Sequence, residues 1–352
     1  MHDPTLTIGQ RKVGPGHPVY VIAELSSNHG HDLDHAIRTL HAMRESGADA
    51  VKLQTYTADT LTIACDNEYF RIGGGTLWDG RTLHDLYQEA FMPWEWQPKL
   101  QAVAAELGLD FFSTPFDATA VDFLEAMAVP AHKVASFELV DIPLLRKIAA
   151  TRKPVIASTG MATQEEITEA VNTLREAGCP QLALLKCTST YPARPEDMNL
   201  RTIPDLAARF GVPVGLSDHT MGHTVPVAAV ALGACIVEKH FALDRRVPGP
   251  DANFSLEPAE FKALVDAIRI AEKALGQVSY EIGANERGSR QFRRSLFVVA
   301  DMKAGEAFTT QNVRSIRPGN GLPPRDLDAV LGQTAATDIQ AGTPLAWSLV
   351  GT

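Results

Sequence analysis

Short apolar runs rich in β-branched residues recur along the first three quarters of the chain, at 19–24, 50–54, 110–113, 132–135, 154–157, 181–187, 213–216 and 235–240. Most are apolar almost without interruption, as strands buried on both faces are, rather than alternating as strands with one wet face do. Between them apolar positions fall at helical spacing, as in Leu33, Ile37 and Leu40, or in Ile167, Val171 and Leu174 behind the capping box Thr163-x-x-Glu166. Strand then helix, eight times over within roughly 275 residues, predicts a closed (β/α)8 TIM barrel; a doubly wound open sheet usually has fewer strands.

Two stretches break the rhythm. Residues 55–94 hold Gly73-Gly74-Gly75, Trp78-Asp79-Gly80 and Trp94-Glu95-Trp96, and a connection that long reads as a lid or substrate wall, the alternative being a surface excursion. After residue 282 the style changes to short strands and the turn-rich Arg317-Pro318-Gly319-Asn320-Gly321. The expected domains are therefore 1–282 and 283–352. The second is too small to bury much surface alone, so it is expected to lean on the barrel or on a second subunit.

Composition adds limits rather than chemistry. With 45% apolar and 21% charged residues, the 352-residue chain reads as an ordered soluble protein. The longest apolar run, 225–237, carries Pro226 and Gly233 and is shorter than the ~20 residues a membrane span needs, so it reads as a buried helix feeding a strand. No basic, apolar and small-residue leader pattern follows Met1, which gives a cytoplasmic expectation. Cys65, Cys179, Cys187 and Cys235 are widely spaced and read as free buried thiols. A net charge of -10 argues against a nucleic-acid partner, so any anionic substrate needs a local basic pocket.

Active sites of such barrels lie at the carboxyl ends of the strands, and here every strand ends in polar residues. In order these are Glu24; Lys52 and Gln54; Ser113 and Thr114; Lys133 and Ser136; Ser158 and Thr159; Thr188, Ser189 and Tyr191; Ser217, Asp218 and His219; and His240. Strand alternation lets Lys52 and Gln54 point inward together, and separates Glu238 and His240 from Lys239. Two lysines converging from different strands with serine and threonine donors suit a phosphate or carboxylate. A structural ion pair with Glu24 or Glu238 is the competing reading, since a lysine in an apolar strand is costly unless paired. His219 and His240 end neighbouring strands roughly 4.8 Å apart, so both imidazoles can reach one ion. Two such ligands without cysteine suit a Lewis-acid Mn²⁺ or similar ion better than structural zinc.

The motifs Ala23-Glu24-Leu25-Ser26-Ser27-Asn28-His29, Val51-Lys52-Leu53-Gln54, Ser113-Thr114-Pro115-Phe116, Lys133-Val134-Ala135-Ser136, Ser158-Thr159-Gly160-Met161, Leu216-Ser217-Asp218-His219-Thr220 and Glu238-Lys239-His240-Phe241 resemble, in this order, the N-acetylneuraminate (sialic acid) synthase family. The similarity continues through Gly249-Pro250-Asp251 into an antifreeze-like SAF domain containing Arg317-Pro318-Gly319. Gly75 to Leu83, Pro93-Trp94-Glu95-Trp96 and Cys187-Thr188-Ser189 look like its pseudaminic branch. One departure is Asn28-His29-Gly30-His31, where the family usually has Asn-His-Asn-Gly.

The resemblance implies a transferase that joins phosphoenolpyruvate to an acetamido-sugar aldehyde, 2,4-diacetamido-2,4,6-trideoxy-L-altrose for this branch, with N-acetylneuraminate and legionaminic acid synthesis as alternatives. It implies that Lys52, Thr114, Lys133, Ser136, Ser158, Ser189 and Ser217 hold phosphoenolpyruvate, and that Gln54, Tyr191 and Asp251 face the sugar. His219 and His240 would bind Mn²⁺, with Mg²⁺ or Co²⁺ as alternatives, and Glu24 is the candidate for shuttling protons and orienting groups. It further implies a domain-swapped homodimer in which Arg317 reaches the partner's sugar site. Two rivals stand beside it: a Schiff-base aldolase on the same barrel, and a non-catalytic carbohydrate-binding or ice-binding protein built on the C-terminal domain.

Overall fold

The computed structural model describes residues 4–247 and 249–351, and the chain divides into two compact units after Gly276. The first opens with a hairpin, β1 (Leu6–Ile8) and β2 (Arg11–Val13), followed by β3 (Tyr20–Glu24), α1 (Leu33–Glu45) and β4 (Ala50–Thr55). The long connection after β4 holds α2 (Ala58–Leu61) and α3 (Leu83–Ala90) before α4 (Gln97–Glu106). Then come β5 (Asp110–Pro115), α5 (Ala118–Ala126), β6 (His132–Val134), α6 (Ile142–Ala150), β7 (Val155–Ser158), α7 (Gln164–Glu176), β8 (Leu182–Cys187), α8 (Thr202–Phe210), β9 (Val214–Asp218), α9 (Thr224–Ala231), β10 (Ile236–His240) and α10 (Pro258–Leu275).

Strands β3 to β10 close into a parallel eight-stranded barrel, with β10 pairing back onto β3. Their outward side chains, such as Val21, Val51, Phe111 and Val237, pack against the helices, whose first turns are fixed by Asp32, Asp117, Asp141 and the Thr163/Glu166 capping box. Inward residues Tyr20, Ile22, Phe112, Ile156, Leu185 and Ile236 fill the barrel in one cluster with Leu6, Ile8 and Val13 of the hairpin. The hairpin thus plugs the barrel from the amino-terminal side of the strands, a feature its three-residue strands were too short to signal. Gly215 is obligatory here, because a Cβ would stand 2.4 Å from Ile236 O. Truncating the fully buried Phe112 to Ala would cost roughly 3–5 kcal/mol.

The stretch 225–237 is indeed a helix feeding a strand, and no helix among the described residues is long and apolar enough to cross a membrane. All four thiols are free, but only Cys187 and Cys235 are buried; Cys65 and Cys179 are half-buried, which corrects the expectation of four buried thiols.

The second unit pairs β11 (Ser295–Val298) with β12 (Val313–Ile316) and β13 (Thr334–Ala335) with β14 (Val350–Gly351) around Leu296, Phe308, Val330 and Leu345. Arg317 follows β12 and is exposed. Its loop is anchored by Ser295, whose Oγ donates to Pro318 O at 2.6 Å and accepts from Gly321 N at 2.8 Å.

Candidate active site

Lys52 of β4 and Lys133 of β6 point into the barrel and meet at one carboxylate. Lys52 Nζ stands 2.7 Å and Lys133 Nζ 3.8 Å from Oε1 of Glu238, and Lys52 also lies 3.1 Å from Glu24 Oε2. Burial works against the Lys52 ammonium, but the two carboxylates outweigh it and raise its pKa. For Lys133 burial dominates, and its pKa falls. The lysines are therefore ion-paired with Glu24 and Glu238, and they converge beside hydroxyl donors. Lys133 donates to Ser158 Oγ at 2.6 Å, Ser217 Oγ lies 3.4 Å from Glu238 Oε1, and Thr114 Oγ1 is buried without a partner. Ser136 Oγ accepts from Gly160 N at 3.0 Å. A side chain at Gly160 would crowd both hydroxyls, since a Cβ there would meet Ser189 Oγ at 2.2 Å and Ser136 Oγ at 2.7 Å.

The imidazoles of His219 and His240 lie with ring centroids 5.4 Å apart. His219 Nδ1 is 3.0 Å from Thr188 O, which fixes the proton there and leaves Nε2 as the free nitrogen. His240 Nε2 is 3.1 Å from Glu24 Oε2, while its Nδ1 is buried without a hydrogen-bond partner. Among the described residues no group of three or more His, Cys, Asp or Glu is arranged around a point that could take a metal. His219 and His240 are the pair that could hold a divalent ion here, with water and substrate oxygens completing its shell. Gln54 Nε2 donates to Glu24 Oε1 at 2.8 Å. Burial pushes the Glu24 carboxyl up, but His240, Lys52, Gln54 and Lys133 together hold it far below the usual carboxylate range.

Above this floor the long β4–α4 connection forms a wall. Trp78 Nε1 donates to Pro250 O at 3.3 Å, and its ring lies 5.9 Å from Tyr191, which packs 4.5 Å from His219 and 5.0 Å from Phe254. Beside Pro250, Asp251 accepts from Ser26 Oγ and, at 2.9 Å, from Ser27 Oγ. The divergent first loop is also tied to this wall: His31 Nε2 lies 2.6 Å from Glu89 O and His29 Nε2 3.4 Å from Ala90 O, at the carboxyl end of α3. The departure at Gly30-His31 thus builds a contact between the first loop and the wall.

Floor and wall enclose a cavity of about 420 Å³. Glu24, Lys52, Gln54, Thr114, Lys133, Ser136, Ser158, Tyr191, Ser217, His219, His240 and Asp251 all line it. Ser189 stands beside it, 3.8 Å from the lining thiol of Cys187, and Arg317 belongs to the second unit. Glu238, which strand alternation puts on the same face as His240, lines the cavity as the carboxylate on which both lysines converge. The sequence gives no sign of a further lining carboxyl, Glu138. Glu138 sits in a short 3₁₀ turn after β6, where no periodicity marks it. Its Oε2 is buried without a partner, and burial pushes its carboxyl up to about 7.

The NeuB family model matches residues 39–280 and the SAF domain model residues 293–351. The chain is 46% identical over 327 residues to the pseudaminic acid synthase of Campylobacter jejuni, covering 93% of this chain and 95% of that protein. It is 44% identical over 329 residues to the pseudaminic acid synthase of Helicobacter pylori, covering 93% and 96%. Among solved structures, the N-acetylneuraminic acid synthetase of Leptospira borgpetersenii superposes with a TM-score of 0.72 at 32% identity, covering 82% of this chain and 96% of that one.

Proposed function

The chain belongs to the NeuB family, and from that premise we propose that it condenses phosphoenolpyruvate with 2,4-diacetamido-2,4,6-trideoxy-L-altrose to give pseudaminic acid and phosphate. The observation that carries the reading is the convergence of Lys52 and Lys133 on Glu238, flanked by hydroxyls, beneath the His219 and His240 pair in one cavity. Legionaminic and neuraminate synthesis are the alternatives, because those synthases are among the relatives at lower identity.

Phosphoenolpyruvate carries a phosphate and a carboxylate, and the two ammoniums with Thr114, Ser136, Ser158, Ser189 and Ser217 supply charge-matched donors for both. Gln54, Tyr191 and Asp251 would then face the sugar. A divalent ion, Mn²⁺ first with Mg²⁺ and Co²⁺ as alternatives, held by His219 and His240 would polarise the sugar aldehyde. The methylene carbon of the enol phosphate bonds to the aldehyde carbon, and the aldehyde oxygen takes a proton. Water adds to C2, and the C2–O bond breaks so that phosphate leaves with the bridging oxygen and a ketone remains. Holding two substrates face to face supplies a large part of the acceleration.

Two of the four carboxyls that line the cavity, Glu24 and Glu138, would divide the proton work. Glu24 is held ionised, so it orients Lys52, Gln54 and His240 as an acceptor. Glu138, which burial pushes up to about 7, would be a carboxyl able to give and take a proton at working pH. Arg317, exposed after β12, would contact the sugar of a second copy in the domain-swapped homodimer that the family resemblance implies. Free thiols throughout suit the reducing cytoplasm.

Phosphoenolpyruvate labelled with ¹⁸O at the bridging position tests the chemistry. Label in phosphate is expected; label in the sugar product would mean P–O cleavage and a different reaction.

A further inference from the structure

Behind the imidazole pair, on the outward side of the same two strands, lies a buried charge pair that the reaction does not use. Lys239 Nζ is 2.5 Å from Asp218 Oδ2, and both side chains are wholly buried. Asp218 and Lys239 are directly opposed in the β9–β10 register. The same ammonium donates to the backbone carbonyl of Thr220. It therefore grips the residue before and the residue after His219, while being itself the chain neighbour of His240. Asp218 closes the turn from within, accepting from Thr220 N at 3.0 Å and from Thr220 Oγ1 at 3.1 Å. The His219 carbonyl is taken by Ala193 N at 3.0 Å and its Nδ1 faces Thr188 O at 3.0 Å, so Nε2 is the only polar atom of its side chain left to act.

A buried ion pair is a poor way to gain stability, because desolvating two charges offsets their attraction and an apolar pair of similar volume is often as good. What such a pair does supply is register. A slip of one residue between β9 and β10 would turn His219 or His240 out of the cavity.

We propose that Lys239 and Asp218 are positioning residues that lock the His219 turn onto β10 and so set the two imidazoles at the separation a shared divalent ion needs. This rests on the reading of the imidazoles as metal ligands. Residues of this kind behind a metal ligand typically change metal affinity 10–100-fold.

The test is Mn²⁺ affinity, read from the electron paramagnetic resonance signal of free Mn²⁺. It is made on wild type, Lys239→Met, Asp218→Asn and the double variant Lys239→Met/Asp218→Leu. Each is paired with its thermal midpoint and its phosphoenolpyruvate affinity in EDTA. Mn²⁺ affinity should fall roughly 10–100-fold in each variant, with phosphoenolpyruvate affinity within about twofold of wild type. In the double variant the thermal midpoint should recover but the Mn²⁺ affinity should not. Asp218→Asn keeps the shape of the side chain and carries the test if Lys239→Met does not fold. Wild-type Mn²⁺ affinity in folded Asp218→Asn or in the double variant overturns the proposal, as does a parallel fall in both affinities. No Mn²⁺ binding by wild type overturns instead the metal reading on which the proposal stands.

Discussion

Lys52 and Glu238 come from strands separated by β3, yet their side chains meet at 2.7 Å in the barrel interior, and Glu24 closes the group at 3.1 Å from the same ammonium. The floor of the cavity is thus a nearly neutral cluster, in which charges held ready for a ligand hold each other in its absence.

Removing one member should be felt twice. Lys52→Met leaves Glu24 and Glu238 buried without their main cation, which should lower unfolding free energy by roughly 3–5 kcal/mol. Denaturant titration checks this, and calorimetry should show phosphoenolpyruvate binding lost.

Glu138 carries the pH dependence. Its folded pKa of about 7 lies above the ordinary 4.5, so the folded state keeps a proton that the unfolded state has released. This group's contribution to stability is fully present below about pH 4.5 and is lost as pH rises through about 7. Glu138→Gln should flatten that part of the stability profile. It should also lower kcat by roughly 10²–10⁴ and remove the limb of the pH–rate curve near neutrality. A variant with wild-type kcat and an unchanged profile would show that the proton travels elsewhere.

Gly160→Ala should separate folding from substrate binding. Gly160 does not have a positive φ, so the backbone tolerates alanine, but the new Cβ would displace the hydroxyls of Ser136 and Ser189. A displacement of about 1 Å in a positioned group can cost ~10²-fold in rate. A wild-type circular dichroism spectrum with a strongly raised KM for phosphoenolpyruvate is the expected result.

Trp78→Ala removes the wall's bond to Pro250 O and its packing on Tyr191. Those two contacts together are worth roughly 1–3 kcal/mol, so the KM for the sugar should rise about tenfold or more while that for phosphoenolpyruvate stays put. Steady-state kinetics in both substrates distinguishes this from a general loss.

The barrel was legible because strands buried on both faces leave continuous apolar runs, and the cavity lining because Lys52, Lys133, Glu238 and His240 interrupt such runs near the carboxyl ends of the strands. Alternation placed Glu238 and His240 on one side and Lys239 on the other, as the fold shows. Other features left weaker traces. The apolar run stops at 216, whereas β9 continues through Ser217 and Asp218, since the mouth of a barrel admits polar side chains without breaking the ladder. The plugging hairpin has strands of three residues and no periodicity to measure. Glu138 is marked by burial and by its orphaned oxygen, neither of which a sequence displays. The Lys239 clamp needed the cross-strand register before its grip on both sides of His219 could be seen.

The most direct test is phosphate release from phosphoenolpyruvate with the diacetamido-trideoxyaltrose, the legionaminic precursor and N-acetylmannosamine in turn, with Mn²⁺ and again with EDTA. Release with the altrose derivative alone, and only with metal, is the predicted result. Release with one of the other sugars would contradict the pseudaminic assignment, and metal-independent release would contradict the role given to His219 and His240.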